Sequence, residues 1–327
     1  MKILVIGAAG MVGRKLVAAL TEAGTVGGQA ISSLTLADVI APPPPGGTLP
    51  HTLVAADLSL PGVAEELISD RPDLIFHLAA IVSGEAEADF EKGYRINLDG
   101  TRLLLEAIRR NSAEEPYCPR LVFTSSIAVF GEPLPAVIGD THQHTPLTSY
   151  GTQKAICELL LSDYSRRGFV DGVGIRLPTI AVRPGKPNKA ASGFFSGIIR
   201  EPLAGQEALL PVDETVRHWF ASPRSAVRFL LHAAALDTSR LGAQRNLSMP
   251  GLAATVGEEI EALGRVAGPK AVALIRRVPD PVIAKIVAGW PQAFDAQRAR
   301  ELGFVGETSF DEIIRIHIED ELGGAIG

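Results

Sequence analysis

The chain has 327 residues, 46% of them hydrophobic and 21% charged, a make-up that excludes a disordered or fibrous protein. That length gives about two domains as a starting expectation. Lys plus Arg total 31 against 37 for Asp plus Glu, a net charge of -6, so no basic surplus exists to neutralise phosphates and no nucleic-acid partner is expected.

In chain order, residues 2–7 read as a buried strand running into Gly7-Ala8-Ala9-Gly10-Met11-Val12-Gly13. Val12, Leu16, Ala19 and Ala23 then repeat at helical spacing, with Gly24 placed to cap the helix end. Glycines at such a junction permit a tight turn and close approach of a pyrophosphate. The helix opening at Met11, Val12 and Gly13 offers amide donors and a partial positive charge. The glycine pattern is weak by itself; a strand before it, a helix after it and a later acidic residue give it context. That residue is Asp38, closing a strand predicted over 33–38, where a carboxylate accepts ribose hydroxyls and repels a 2′-phosphate. It favours NAD over NADP against the opposing signal of Arg14 and Lys15. The Pro-Gly run at 42–47 reads as a stiff surface insertion. A strand over 52–57 ends at Asp57, which with Leu58 is the candidate at the adenine end, or else belongs to a helix N-cap region.

Residues 73–80, 120–126 and 173–178 add three strands, and Leu98, Thr101, Leu105 and Ile108 mark a helix between them. Apolar strands alternating with amphipathic helices predict an α/β, Rossmann-type doubly wound parallel sheet, which takes ligands at its strand carboxyl ends. Ser126 ends the strand 120–126, and Tyr150 and Lys154, four apart, share one helix face. A phenol titrates near ~10 in water, so work as a base near neutrality needs about 4 kcal/mol of preferential phenolate stabilisation. A neighbouring ammonium and a cationic nicotinamide ring together supply it.

The second half is less regular. Residues 178–211, rich in Gly and Pro, read as a loop-rich excursion; 221–236 reads as a helix, and 246–249 as a short strand returning to the main sheet. Further helices are predicted over 256–266 and 310–322. The expected division is an NAD-binding domain, 1–177 with a return segment at about 212–250, and a smaller, discontinuous C-terminal substrate-binding domain, 178–211 and 251–327.

Gly7-x-x-Gly10-x-x-Gly13, His77-Leu78-Ala79-Ala80, Asn97-Leu98-Asp99-Gly100-Thr101, the run from Ser125 and Ser126 to Gly131, and Tyr150-Gly151-Thr152-Gln153-Lys154 together resemble the extended short-chain dehydrogenase/reductase family over nearly the whole chain. The resemblance implies that Tyr150 is the proton acceptor or donor and that Ser126 holds the reacting oxygen. It implies that Lys154 binds the nicotinamide ribose and depresses the tyrosine pKa, with Asn97 helping to organise it. Leu78, Ala79 and Ala80 would line the NAD cofactor, with Pro178 and Thr179 near its carboxamide. Phe130 departs from the family's usual Tyr at that point without touching the base. Ile127 and Ala128 stand where dehydratase-like members carry acidic residues, which disfavours elimination chemistry.

Residues 176–188, 192–203 and 217–224 further resemble members that oxidise a four-carbon sugar acid at C2 with NAD. A small anionic acid calls for a guanidinium fork, for which Arg217 is the first candidate and Arg183 the second. Ser83, Ser125, Ser126 and Tyr150 are the candidates for its remaining contacts. The alternatives are a nucleotide-sugar epimerase of the same superfamily and a non-catalytic NAD-sensing protein, a class that often loses the tyrosine or the lysine. In this family helices such as 98–110 and 150–167 often form a dimer interface, so a homodimer is expected. The pair His142 and His144 lacks a third ligand and predicts no metal. His218 beside Trp219 either lines a pocket or packs, and Cys157 packs on the Tyr150 helix. Two cysteines, Cys118 and Cys157, and the lack of a membrane-length apolar run or a signal-peptide pattern predict a cytoplasmic protein with no membrane partner.

Overall fold

The computed structural model describes residues 1–113, 115–185 and 191–325. Lys186, Pro187 and Asn188, within the stretch 176–188 singled out above, lie outside the described residues.

The main sheet has seven strands: β1 (Lys2–Ile6), β2 (Ser33–Asp38), β3 (His51–Ala55), β4 (Leu74–His77), β5 (Arg120–Ser126), β6 (Asp171–Leu177) and β7 (Asn246–Ser248). Their spatial order is β7-β6-β5-β4-β1-β2-β3. Pairs β1–β2, β1–β4, β2–β3 and β4–β5 are parallel. Strands covered on both faces need continuous apolar runs rather than alternation: β1 is buried from Ile3 onward and β4 throughout. This is the doubly wound sheet the sequence predicts, with the short return strand at its edge.

The longer helices are α1 (Met11–Ala23), α2 (Gly100–Asn111), α3 (Ser149–Arg166), α4 (Gly193–Leu203), α5 (Pro223–Ala235), α6 (Val256–Ala267) and α7 (Phe310–Glu321). Gly24 ends α1 in the left-handed region at φ 62°, its N–H donating to the Leu20 carbonyl. Thr148 starts α3 by accepting from the Gly151 N–H, which fixes where Tyr150 enters the first turn. Thr255 and Glu258 form a capping box at the start of α6.

The chain divides into two compact units, one of residues 1–129, 148–176 and 227–247, the other of 130–147, 177–226 and 248–327. The core of the first packs Leu4, Ile6, Ile75, Leu104, Leu105, Phe123 and Leu161. That of the second packs Phe195, Ile198, Ile199, Phe220, Leu263 and Ile313. Two boundaries differ from those expected. Residues 130–147 belong to the second unit, where Ile138 bridges Phe294 and the Thr145 hydroxyl donates to the Gly131 carbonyl at 2.7 Å. Residues 212–226 join it too, because Arg217–Ala221 pairs with Thr179–Ile180 on one side and Leu252–Thr255 on the other. Nor is 178–211 irregular throughout. In α4, Phe195, Ile198, Ile199 and Leu203 are buried at helical spacing that the surrounding glycines and prolines obscure. Among the described residues no helix is long and apolar enough to cross a membrane.

Candidate active site

From β1 the strand order runs outward in both directions, and doubly wound sheets open their ligand crevice at such a switch point, beyond the strand carboxyl ends. Gly7, directly after β1, has φ 95°, and a Cβ there would lie 2.7 Å from the Ala79 nitrogen. A Cβ on Gly13 would lie 2.1 Å from the Gly7 carbonyl oxygen. Backbone meeting backbone therefore demands both glycines. Gly10, the exposed N-cap of α1, offers no side-chain cap, and the amides of Met11, Val12 and Gly13 lack acceptors within the helix. Asp38 ends β2 and accepts from the Ala9 N–H at 2.9 Å and the Val39 N–H at 2.7 Å. This ties the glycine loop to the second strand and leaves lone-pair capacity on both carboxylate oxygens. Half-buried Leu78, Ala79 and Ala80 follow β4; the Leu78 and Ala79 amides donate to the Ile6 carbonyl at 2.8 and 3.1 Å. Helix-opening amides, a strand-end carboxylate and a cradle that a Cβ would fill make a donor set that fits a dinucleotide.

At the adenine end, β3 stops at Ala55, so Asp57 lies two residues beyond the strand rather than at its end. It accepts from the Ser59 amide and hydroxyl at 2.9 and 2.6 Å and from the Arg95 guanidinium at 2.9 Å. Burial pushes its pKa up, but Ser59 and Arg95 outweigh that and hold the carboxyl below its usual value. Its neighbour Leu58 is buried.

Ser126, Tyr150 and Lys154 gather at the carboxyl end of β5. The Ser126 Oγ accepts from the Ala128 N–H at 3.1 Å and is hydrogen-bonded to Tyr150. Lys154 is buried; its Nζ donates to the Thr124 carbonyl at 2.8 Å and lies 4.8 Å from the Phe123 ring centre and 5.8 Å from that of Tyr150. Burial pushes the Lys154 ammonium down to about 8, with Cys157 and Glu158 pulling the other way. Burial also pushes the Tyr150 phenol up to about 12, against the hydrogen bond with Ser126. The acid phenol expected beside Lys154 is therefore not a property of the polypeptide alone, since desolvation outweighs the hydrogen bond with Ser126. Ser125, expected among substrate contacts, is buried and donates to Glu158 at 2.5 Å. Glu158 in turn takes a fork from Arg176, at 2.9 Å from Nε and 2.7 Å from Nη2. Half-buried Ser83 opens the short helix Ser83–Ala88.

Asn97 sits in a π-helical turn, Tyr94–Asp99, just before α2. Its carbonyl accepts from the Thr101 hydroxyl at 2.8 Å and the Cys157 thiol at 3.3 Å, and its amide meets Ile81 and Gln153. Gln153 carried no expectation, because a glutamine inside a helix looks like any solvated residue. His77 ends β4 fully buried, and burial pushes its pKa down to about 3. Since the Thr101 hydroxyl donates to Asn97, the neutral His77 donates its Nε2–H to Thr101 Oγ1 at 2.9 Å.

In the second unit Pro178 is buried and Thr179 opens the strand Thr179–Ile180. His218 stacks on Phe195 with ring centres 5.3 Å apart, and burial pushes its pKa down to about 4. Its Nδ1–H donates to the Pro291 carbonyl at 2.9 Å, so its Nε2 accepts the Thr179 hydroxyl at 2.6 Å. The two candidate guanidinium groups differ. Arg217, 38% exposed, lies 3.4 Å from the Glu258 carboxylate. Half-buried Arg183 donates from Nη2 to Ser192 Oγ at 3.3 Å and has no carboxylate partner among the described residues. Burial and the nearby Arg200 cation push its pKa down. His142 and His144 both pack on the Phe130 ring, and the described residues hold no group of three or more potential metal ligands.

The family described as NAD dependent epimerase/dehydratase matches residues 3–243. A D-erythronate dehydrogenase of Cupriavidus necator is 49% identical over 324 residues, 98% of each chain. Another, of Haemophilus influenzae, is 42% identical over 98% of this chain and 100% of its own. Among solved structures, the nucleoside-diphosphate-sugar epimerase from Agrobacterium tumefaciens is 66% identical, with a TM-score of 0.98 over 100% of this chain and 96% of that one.

Proposed function

The chain belongs to the NAD-dependent epimerase/dehydratase family, and on that premise we propose that it oxidises the C2 hydroxyl of a small sugar acid, of the size of D-erythronate, to the 2-oxo acid. The observation that most supports this reading is the gathering of Ser126, Tyr150 and Lys154 in a chain 49% identical to a D-erythronate dehydrogenase.

When bound, NAD supplies the acceptor for the hydride leaving C2 and a positively charged ring. The Tyr150 oxygen takes the hydroxyl proton, and Ser126 Oγ donates to that substrate oxygen as it becomes a carbonyl. Lys154, mostly ammonium at neutral pH with its pKa near 8, would hold the ribose hydroxyls and stabilise the phenolate. Bringing Tyr150 from about 12 to neutrality asks roughly 7 kcal/mol of preferential phenolate stabilisation. One further unit positive charge near a poorly solvated oxygen, worth ~4 kcal/mol at 4 Å and an effective dielectric of ~20, meets over half of that. Asp38 would accept the adenosine ribose hydroxyls, and Pro178 and Thr179 would lie near the carboxamide. Arg183 takes the substrate carboxylate in preference to Arg217, since Arg217 already has Glu258 while Arg183 is a half-buried cation with no carboxylate partner among the described residues.

A second reading, epimerisation of a nucleotide sugar, is favoured by the name of the 66% identical solved relative. An absorbance screen at the NADH band separates the two. Four- to six-carbon aldonic and uronic acids are offered with NAD, with NADP and UDP-sugars as controls. We expect NADH from a four-carbon aldonate and none from the UDP-sugars. Epimerised UDP-sugar with no response to any acid overturns the proposal. The same reading includes a homodimer through residues 98–110 and 150–167, where Leu159 on α3 stands 65% exposed; a monomer in light scattering at micromolar concentration removes that part.

A further inference from the structure

Gln153 precedes Lys154 on α3 and is fully buried, at 0% exposure. Its Oε1 accepts from Asn97 Nδ2 at 2.8 Å. The same Asn97 side chain clasps the backbone of Ile81 in both directions. Its Oδ1 accepts from the Ile81 N–H at 2.9 Å and its Nδ2 donates to the Ile81 carbonyl at 3.2 Å. Ile81 directly follows Leu78, Ala79 and Ala80. Asn97 itself occupies a π-helical turn, a rare backbone form that recurs at functional sites. One chain of amides therefore runs from the loop after β4, through the π turn, to the helix bearing Tyr150 and Lys154.

The other end of Gln153 is left wanting. Its Nε2 is buried with no hydrogen-bond partner among the described residues. Gly93 closes over it, and a Cβ at that position would sit 2.7 Å from Nε2. An unsatisfied buried donor costs ~1–3 kcal/mol, a cost that a methionine of similar length avoids. The methionine would in turn leave unpaired the Asn97 Nδ2 hydrogen now held by Oε1, so what the position uses is the amide oxygen. We propose that Gln153 is a positioning residue that holds the loop 78–81 in register with Tyr150 and Lys154 through Asn97. This rests on the reading of the NAD site given above.

The test measures NADH affinity by nicotinamide fluorescence, steady-state turnover and melting temperature for Gln153→Met. We expect an NADH Kd raised about tenfold, kcat lowered at least as much, and KM for the sugar acid within about twofold, with Tm changed little because one unpaired buried donor replaces another. Asn97→Ala should change NADH Kd and kcat in the same direction but lower Tm, because it also strips the Ile81 backbone of its partners, and the double variant should bind NADH no worse than Asn97→Ala alone, because both residues act in one chain. Gly93→Ala pushes on Nε2 while keeping the oxygen, and should weaken NADH binding by a smaller factor; if Gln153→Met fails to fold, this variant decides. Wild-type NADH affinity and turnover in Gln153→Met, or in Gly93→Ala where that variant decides, overturn the inference. A wild type inactive on every sugar acid, with NADH binding still weakened by Gln153→Met, sinks the proposed reaction and leaves the inference standing.

Discussion

The two compact units hold their candidate site residues by different means. In the first, several residues are placed by rules that act within a few residues. Gly13 is required where its Cβ would meet the Gly7 carbonyl, Ser126 ends a strand, and Thr148 caps the helix that sets Tyr150 and Lys154 one turn apart. In the second, the placing groups are distant. Thr179 is held by His218, which is held by Pro291, 73 positions further on. A site built from local rules can tolerate drift elsewhere in the chain, because each rule carries its own geometry. A site built from distant partners is free to change its ligand when one partner changes, as suits the part of an enzyme that selects substrate.

If the first unit holds the chemistry, Tyr150→Phe gives the largest effect. Turnover should fall by ~10³-fold or more, while NADH affinity stays within about threefold. Turnover near wild type would show that the gathering at β5 is packing and would dissolve the contrast between the units.

Lys154 sharpens the same contrast through stability. Its folded pKa near 8 lies below the unfolded 10.5, so between those values the unfolded chain binds more protons and stability rises with pH. Below about pH 8 the full cost of burying the ammonium is present, about 3 kcal/mol. Lys154→Met should therefore be inactive yet more stable than wild type at pH 7 by up to about 3 kcal/mol, the gap closing toward pH 10.5 in denaturant titrations. A gap that stays constant across that range would mean that the ammonium carries no burial cost.

This division also governs what the sequence discloses. The doubly wound sheet, the glycine loop, Asp38 and the Tyr150–Lys154 pair follow from periodicity and short spacings, and each stands where the pattern puts it. Gln153 was invisible because nothing local separates a glutamine aimed at Asn97, 56 positions away, from a solvated one. The two arginines were ranked by motif position, whereas their difference lies in Glu258, which no spacing links to Arg217. Residues 130–147 join the second unit through distant contacts, among them the Ile138–Phe294 bridge and the Arg298 N–H donating to Asp140, which have no signature in the sequence. The Ser125 hydroxyl turns inward to Glu158, which is buried in a pair with Arg176, 18 positions away, and no local signal marks that.

The arginines give an intermediate effect. A charge-assisted fork on a carboxylate is worth ~1.5–3 kcal/mol, so Arg183→Met should raise KM for the sugar acid about 10- to 100-fold with NADH binding unchanged. Arg217→Met removes a half-exposed pair with Glu258 and should change KM by less than about threefold. The reverse ranking would return the carboxylate to Arg217.

The smallest effect belongs to Asp57. Both of its oxygens are engaged, one by Ser59 and the other by Arg95, and the ion pair with Arg95 is part-exposed. Such a pair contributes ~0–1 kcal/mol, and a carboxylate already committed to two partners has little left for an adenine amino group. Asp57→Asn should therefore weaken NADH binding by no more than about threefold and lower stability slightly. Because the Asp57 pKa is held below its unfolded value, that stability difference should be present at neutral pH and vanish as the pH falls through the carboxylate range. A tenfold loss of NADH affinity would instead make Asp57 part of the adenine contact, and the turn at 57–59 would count among the locally placed residues of the first unit.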